Sequence, residues 1–210
     1  MLTILGVFSS SFMIAFSGAM MPGPLLSVTI SESASRGAIA GPMLILGHGI
    51  LELLLIVSLV MGFAPFLSQD RVFMVIALAG GGMLFFMGVN MLRTLPGLHL
   101  QGGPVAETGG SLVLKGVLMS LANPYWLIWW ATVGLGYILY CEPFGVWGLV
   151  LFFCGHILAD LAWYSGISMT VARGKGLLND RIYRRIIGLC ALSLIAFAIY
   201  FIHTGLGQMI

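Results

Sequence analysis

Two short stretches of this 210-residue chain place a histidine one helical turn before a carboxylate: Gly47-His48-Gly49-Ile50-Leu51-Glu52-Leu53 and Gly155-His156-Ile157-Leu158-Ala159-Asp160-Leu161. A spacing of four puts both groups on one helix face, and Tyr164 continues the second face. Such pairs suit proton exchange. An apolar setting favours the neutral form of each group and a close partner favours the charged forms, so one proton can sit on either side. Two histidines with two carboxylates are also a ligand set for zinc, cadmium or manganese, provided that all four reach within about 2.0 to 2.6 Å of one point. A third reading is a structural hydrogen bond between helices. Duplication of the whole pattern inside apolar sequence favours function over structure alone.

The elements that hold these residues follow from composition. The chain is 60% hydrophobic and 8% charged, with a mean hydropathy of +1.07, which fits a polytopic membrane protein and leaves almost no sequence for a soluble domain. Crossing a bilayer core takes about 20 apolar residues, and six such segments are present, near 6–28, 40–66, 71–92, 112–139, 145–170 and 184–207. Both His–acid pairs fall in mid-span, where an ionised carboxylate costs about 2.5 to 3.5 kcal/mol on insertion scales. No Lys or Arg precedes Arg36, so the first segment reads as a mature helix and not a secretory signal. Cys141, Cys154 and Cys190 form no Cys-x-x-Cys pair and read as buried small hydrophobes. A membrane thiol-redox enzyme would need paired cysteines in helices one and four, which are absent, so the chain reads as no enzyme. Neither a cofactor nor a nucleic-acid partner is expected.

Met20 to Leu26 interrupts the first helix. Pro22 and Pro24 lack backbone donors and Gly23 admits unusual backbone angles; in hydrocarbon such a break persists only against protein or a water-filled cavity. Asn123-Pro124 makes a second break in helix four. The breaks and the two His–acid motifs recur in the same order, which predicts an all-α membrane protein of six transmembrane helices in two inverted three-helix repeats, helices one and four broken by Pro motifs. Residues 1–95 form the first repeat, 96–111 a cytoplasmic linker rich in Gly and Pro, and 112–210 the second repeat. Three crossings per repeat turn the second copy upside down. With the N-terminus outside, eight basic residues face the cytoplasm and only Arg71 faces out, so both termini are expected outside.

Broken helices leave N-terminal ends that attract anions and C-terminal ends that attract cations. A zwitterion satisfies both, with its ammonium group on free carbonyls or on Glu52 and Asp160. The candidate substrate-binding set is Met21, Pro22, Gly23, Pro24, Ser27, Asn123, Pro124, Trp126, Trp130 and Tyr164; Ser27 and Asn123 would add neutral hydrogen bonds. The proton-coupling set is His48, Glu52, His156 and Asp160, which is also the metal-ligand set of the alternative reading, divalent cation transport. Trp126, Trp129 and Trp130 suit a membrane interface or a cavity wall. Gly80 to Gly82 read as close helix packing, and Gly37 with Gly41 as a small-xxx-small pattern that serves packing within one chain or in a homo-oligomer.

The residues now assembled resemble the LysE/RhtB amino-acid exporters over most of the chain. Met21-Pro22-Gly23-Pro24 looks like that family's Pro-Gly-Pro signature in helix one, Arg36-Gly37, Gly41, Gly47 and Gly49 match its glycine-spaced start of helix two, and Asn123-Pro124 matches its Asn-Pro in helix four. The resemblance implies a multi-pass exporter in a prokaryotic cytoplasmic membrane that moves amino acids or related small metabolites by proton antiport and alternating access. Met21 stands where members often carry Thr, Tyr125-Trp126 stands where Lys and a small residue are common, and the His–acid pairs are more polar than the average member has. The likeness therefore carries further for fold than for substrate.

Overall fold

The computed structural model describes residues 4–21, 23–67, 69–97, 110–174 and 180–207, and every regular element among them is helical. Helices close their backbone hydrogen bonds internally, which is what an apolar chain in lipid requires. α1 (Ile4–Ala19) and α2 (Pro24–Arg36) meet at 77°. α3 (Ala40–Ser58) passes through a π turn at Leu59–Phe63 into α4 (Ala64–Leu67), and α5 (Asp70–Thr94) follows. α6 (Leu112–Leu121) and α7 (Pro124–Trp129) are joined by a 67° bend, and a second π turn at Trp130–Gly134 leads to α8 (Leu135–Cys141). α9 (Gly145–Arg173) and α10 (Asp180–Gly207) complete the chain. Four helical runs are long and apolar enough to cross a membrane, and six if each bent pair is one span.

The second apolar run extends over Ala40–Phe66, the bounds expected from sequence. Pro65 is the second residue of α4, where a helix needs no amide hydrogen from it, and Gly62, at φ 116°, makes a turn before it. Pro24 likewise opens α2 at a position that tolerates proline. Of the linker expected at 96–111, residues 98–109 lie outside the described residues, as does Pro22. Ser111 caps α6 by accepting from the Leu114 N–H at 3.4 Å.

Glycine sets the helix spacing. Gly47 of α3 lies against the Val113 carbonyl, and Gly116 of α6 lies against the Leu44 carbonyl, so these helices touch backbone to backbone. α1 and α9 meet in the same manner: Gly155 faces the Phe8 carbonyl, and the Ser11 hydroxyl donates to the Phe152 carbonyl at 2.8 Å. Gly81 and Gly88 of α5 face the Ala198 and Ala191 carbonyls of α10. A Cβ at Gly47 would occupy the space of the Val113 carbonyl, and backbone cannot yield as a side chain can. Gly47→Ala is therefore expected to destabilise the protein by about 1–3 kcal/mol, read as a lowered midpoint of thermal unfolding in detergent. Gly82→Ala is the control, since nothing lies within 4 Å of that position.

The outer surface is apolar, with Leu54, Phe86 and Trp147 all strongly exposed, as lipid contact demands. Glu32 near the end of α2 is an exception to the apolar interior. It is buried and paired with Lys115 Nζ at 2.5 Å and Arg36 Nε at 2.9 Å, and Arg36 also donates to the Gly110 carbonyl at 3.1 Å. This network ties the end of α2 to the start of α6.

Candidate functional site

α3 and α9 pack side by side, because Gly41 lies against the Tyr164 carbonyl and Gly49 against Ile157. Their two His–acid pairs consequently merge into one cluster. His48 Nε2 lies 3.1 Å from Glu52 Oε1 and 3.6 Å from Asp160 Oδ2, and His156 Nε2 lies 3.1 Å from Glu52 Oε2 and 3.4 Å from Asp160 Oδ2. All four side chains are buried, Glu52 at 1% exposure. The two pairs are compact, and the room lies beside them, in an adjoining cavity.

The two acids, equivalent in the sequence pattern, have different surroundings. Glu52 Oε1 accepts the Trp126 and Trp130 indole N–H groups at 3.1 and 3.0 Å. An indole nitrogen can only donate, so both tryptophans require lone pairs on that oxygen. Asp160 has no such donors in this cluster; its nearest nitrogens stand at 3.4 and 3.6 Å, beyond good hydrogen-bond length. Among the described residues Glu52 is anchored by two indoles, and Asp160 faces the histidines at longer range.

The histidines differ too. The Ser120 hydroxyl donates to the Gly116 carbonyl at 2.7 Å and so turns its lone pairs to His48 Nδ1, also at 2.7 Å. His48 Nδ1 therefore carries a hydrogen, and any exchangeable proton on that ring sits at Nε2, between the carboxylates. His156 Nδ1 is buried and meets no partner among the described residues. Its ring packs against Trp129 and Trp130 at centroid distances of 4.8 and 5.7 Å.

Beside the cluster is a cavity. Of the residues expected from sequence, Met21, Gly23, His48, Glu52, Asn123, Trp126, His156, Asp160 and Tyr164 line it. Pro24 is buried at the start of α2, and the Ser27 hydroxyl turns back to the Gly23 carbonyl at 3.2 Å. Trp130 stands behind Glu52, fully buried against Phe152. Pro124 opens α7, and Asn123 caps it by accepting from the Tyr125 N–H at 3.2 Å. Trp129 lines the cavity, one of the two places its ring suits, and Ser120, Tyr125 and Gly18 line it without having been expected there. Ser120 left a signal, being a single hydroxyl on an apolar segment one turn after Gly116.

A family model, LysE type translocator, matches residues 16–205. Two curated proteins are similar to the chain. YcgF of Bacillus subtilis, which carries the name of an amino acid efflux protein, is 22% identical over 209 residues, covering 98% of this chain and 100% of that protein. ChpE of Pseudomonas aeruginosa, named a chemotactic transduction protein, is 26% identical over 162 residues, covering 76% of this chain and 79% of that protein. No solved structure matches the chain.

Proposed function

The chain belongs to the LysE type translocators, which are membrane transporters and not enzymes, and on that premise we propose that it exports an amino acid or similar small zwitterion by proton antiport. The observation that carries this reading is the pairing, across one cavity, of the start of α2 at Gly23 with the weakly held carboxylate of Asp160. A helix start favours a carboxylate and Asp160 favours an ammonium group, so a zwitterion fits both ends. The name of the full-length relative YcgF points to the same substrate class. A proton and the substrate ammonium compete for Asp160, and that competition couples the two fluxes. Glu52 holds the histidines in register without exchanging its own partners.

The architecture we propose is two inverted three-helix repeats, 1–95 and 112–210, joined by a cytoplasmic linker at 96–111, with helices one and four broken at their proline motifs and both termini outside. The helix contacts support it. Gly47 and Gly155 occupy the same place in the duplicated motif, and each admits a helix from the other half, α6 and α1 respectively. The next turn repeats the match, with the Leu44 carbonyl against Gly116 and the Phe152 carbonyl against Ser11. The two bent pairs, α1–α2 and α6–α7, then take corresponding places around the cavity, and rocking one half against the other would expose it alternately.

Proteoliposomes loaded with a pH dye test the function directly. Amino acids are expected to drive a pH change, and divalent cations are not. The four ligand-type atoms do lie within 4.8 Å of one another, so a cation panel is the proper second arm. A response to metals alone would overturn the proposal. Family membership does not favour metal as the cargo, and neither do the two indole donors already on Glu52 Oε1.

A further inference from the structure

The transport reading leaves unused the strongest concentration of positive charge in the chain. α5 and α10 pack along their length in opposite directions, which brings the last turn of α5 beside the first turns of α10. Between them is an open groove with Arg181, Arg184 and Arg185 at its mouth and Leu92, Leu95 and Leu192 along its floor. Arg181 and Arg185 are exposed, and among the described residues Asp180 is the single acid lining the groove, beside three arginines.

Charge gives way to apolar surface over a short distance. From Arg185 to Leu189 is one helical turn, about 6 Å of rise, and Leu189 and Leu192 are 64% and 55% exposed. Between Arg185 and Leu192 Gly188 leaves a notch: a Cβ there would reach Leu95 at 3.4 Å. A guanidinium pair is suited to a phosphate diester, which it can grip through parallel N–H donors. A basic rim over an apolar floor, at the end of a membrane-spanning helix pair, has the order of a phospholipid, headgroup first and acyl chain below.

We propose that this groove binds an anionic phospholipid, with the headgroup phosphate on Arg181, Arg184 and Arg185 and an acyl chain running over Gly188 between Leu95 and Leu192. A soluble phosphate compound would use only the charged mouth and would leave the leucine floor bare, so the lipid is the occupant that accounts for the whole groove. This inference rests on the chain spanning a membrane and not on the identity of its cargo.

The test is thermal unfolding of the purified protein in neutral detergent with added phosphatidylglycerol, cardiolipin, phosphatidylcholine or inorganic phosphate. The two anionic lipids are expected to raise the unfolding midpoint by several degrees, and phosphatidylcholine and inorganic phosphate to leave it within a degree. Arg181→Gln with Arg185→Gln should lose at least half of that shift, whereas Arg71→Gln, at the start of α5, should keep it. Gly188→Leu fills the notch with all arginines in place and should lose the shift as well, which gives a second reading should the double variant fold poorly. An equal shift with phosphatidylcholine, the full shift with inorganic phosphate alone, or a full shift in both groove variants would each overturn the proposal.

Discussion

Asp160→Asn is expected to lower substrate export in proteoliposomes by about 30-fold or more, the equivalent of the 2–5 kcal/mol lost when one partner of a buried charge pair is removed. The side chain keeps its size and its place on the cavity wall, so the fold should survive. What disappears is the negative charge for which proton and ammonium compete. Asp160 faces His48 and His156 at 3.6 and 3.4 Å, with Glu52 behind them and Tyr164 one turn along its own helix. None of these can replace it: Glu52 is committed to two indoles, and Tyr164 is buried among apolar neighbours. Wild-type export by this variant would remove Asp160 from the transport cycle, while export that is lost together with the folded state would be seen at once in the unfolding midpoint.

The positions of His48, Glu52, His156 and Asp160 on their helices were legible in the sequence for a physical reason. In a chain with so few ionisable groups, a histidine and an acid one turn apart in an apolar span have little to gain unless they face each other or a cavity. The spans were legible for the same reason that hydropathy works in membranes, since lipid accepts few other backbones. The contacts between helices were not legible. The joining of the two pairs into one cluster depends on how closely α3 and α9 approach, which Gly41 and Gly49 set through contacts with residues more than 100 positions away. The difference between Glu52 and Asp160 depends on α7 and the π turn after it directing one indole each to Glu52, which a duplicated pattern conceals. Trp126 and Trp130 were marked as cavity residues, yet both serve Glu52 and only Trp126 also lines the cavity. Ser120 acts on His48 from a helix of the other half. Sequence spacing reports contacts along one helix, and every one of these crosses between helices.

Glu52→Gln separates the anchoring role from the charge. The amide oxygen can still accept both indole N–H groups and keeps His48 beside it, but the amide nitrogen then takes the place of Oε2 and faces His156, whose Nε2 stands 3.1 Å from that oxygen. The two histidines are left with Asp160 as their one counter-charge, and Asp160 is then tied to them instead of being available to substrate. Export is expected to fall at least about 10-fold, with a stability loss of about 1–3 kcal/mol, the usual cost of a lost charged hydrogen bond or an unsatisfied buried group. Glu52→Leu removes the acceptor altogether and strands both indoles, so it should be less stable than Glu52→Gln by a further 1–3 kcal/mol or so for each stranded donor. The order of the two variants in thermal unfolding reports the anchoring role, and their export reports the charge. If Glu52→Gln exported at the wild-type rate, Glu52 would be a hydrogen-bond acceptor for Trp126 and Trp130 and nothing more, and the coupling would rest on Asp160 and the histidines alone.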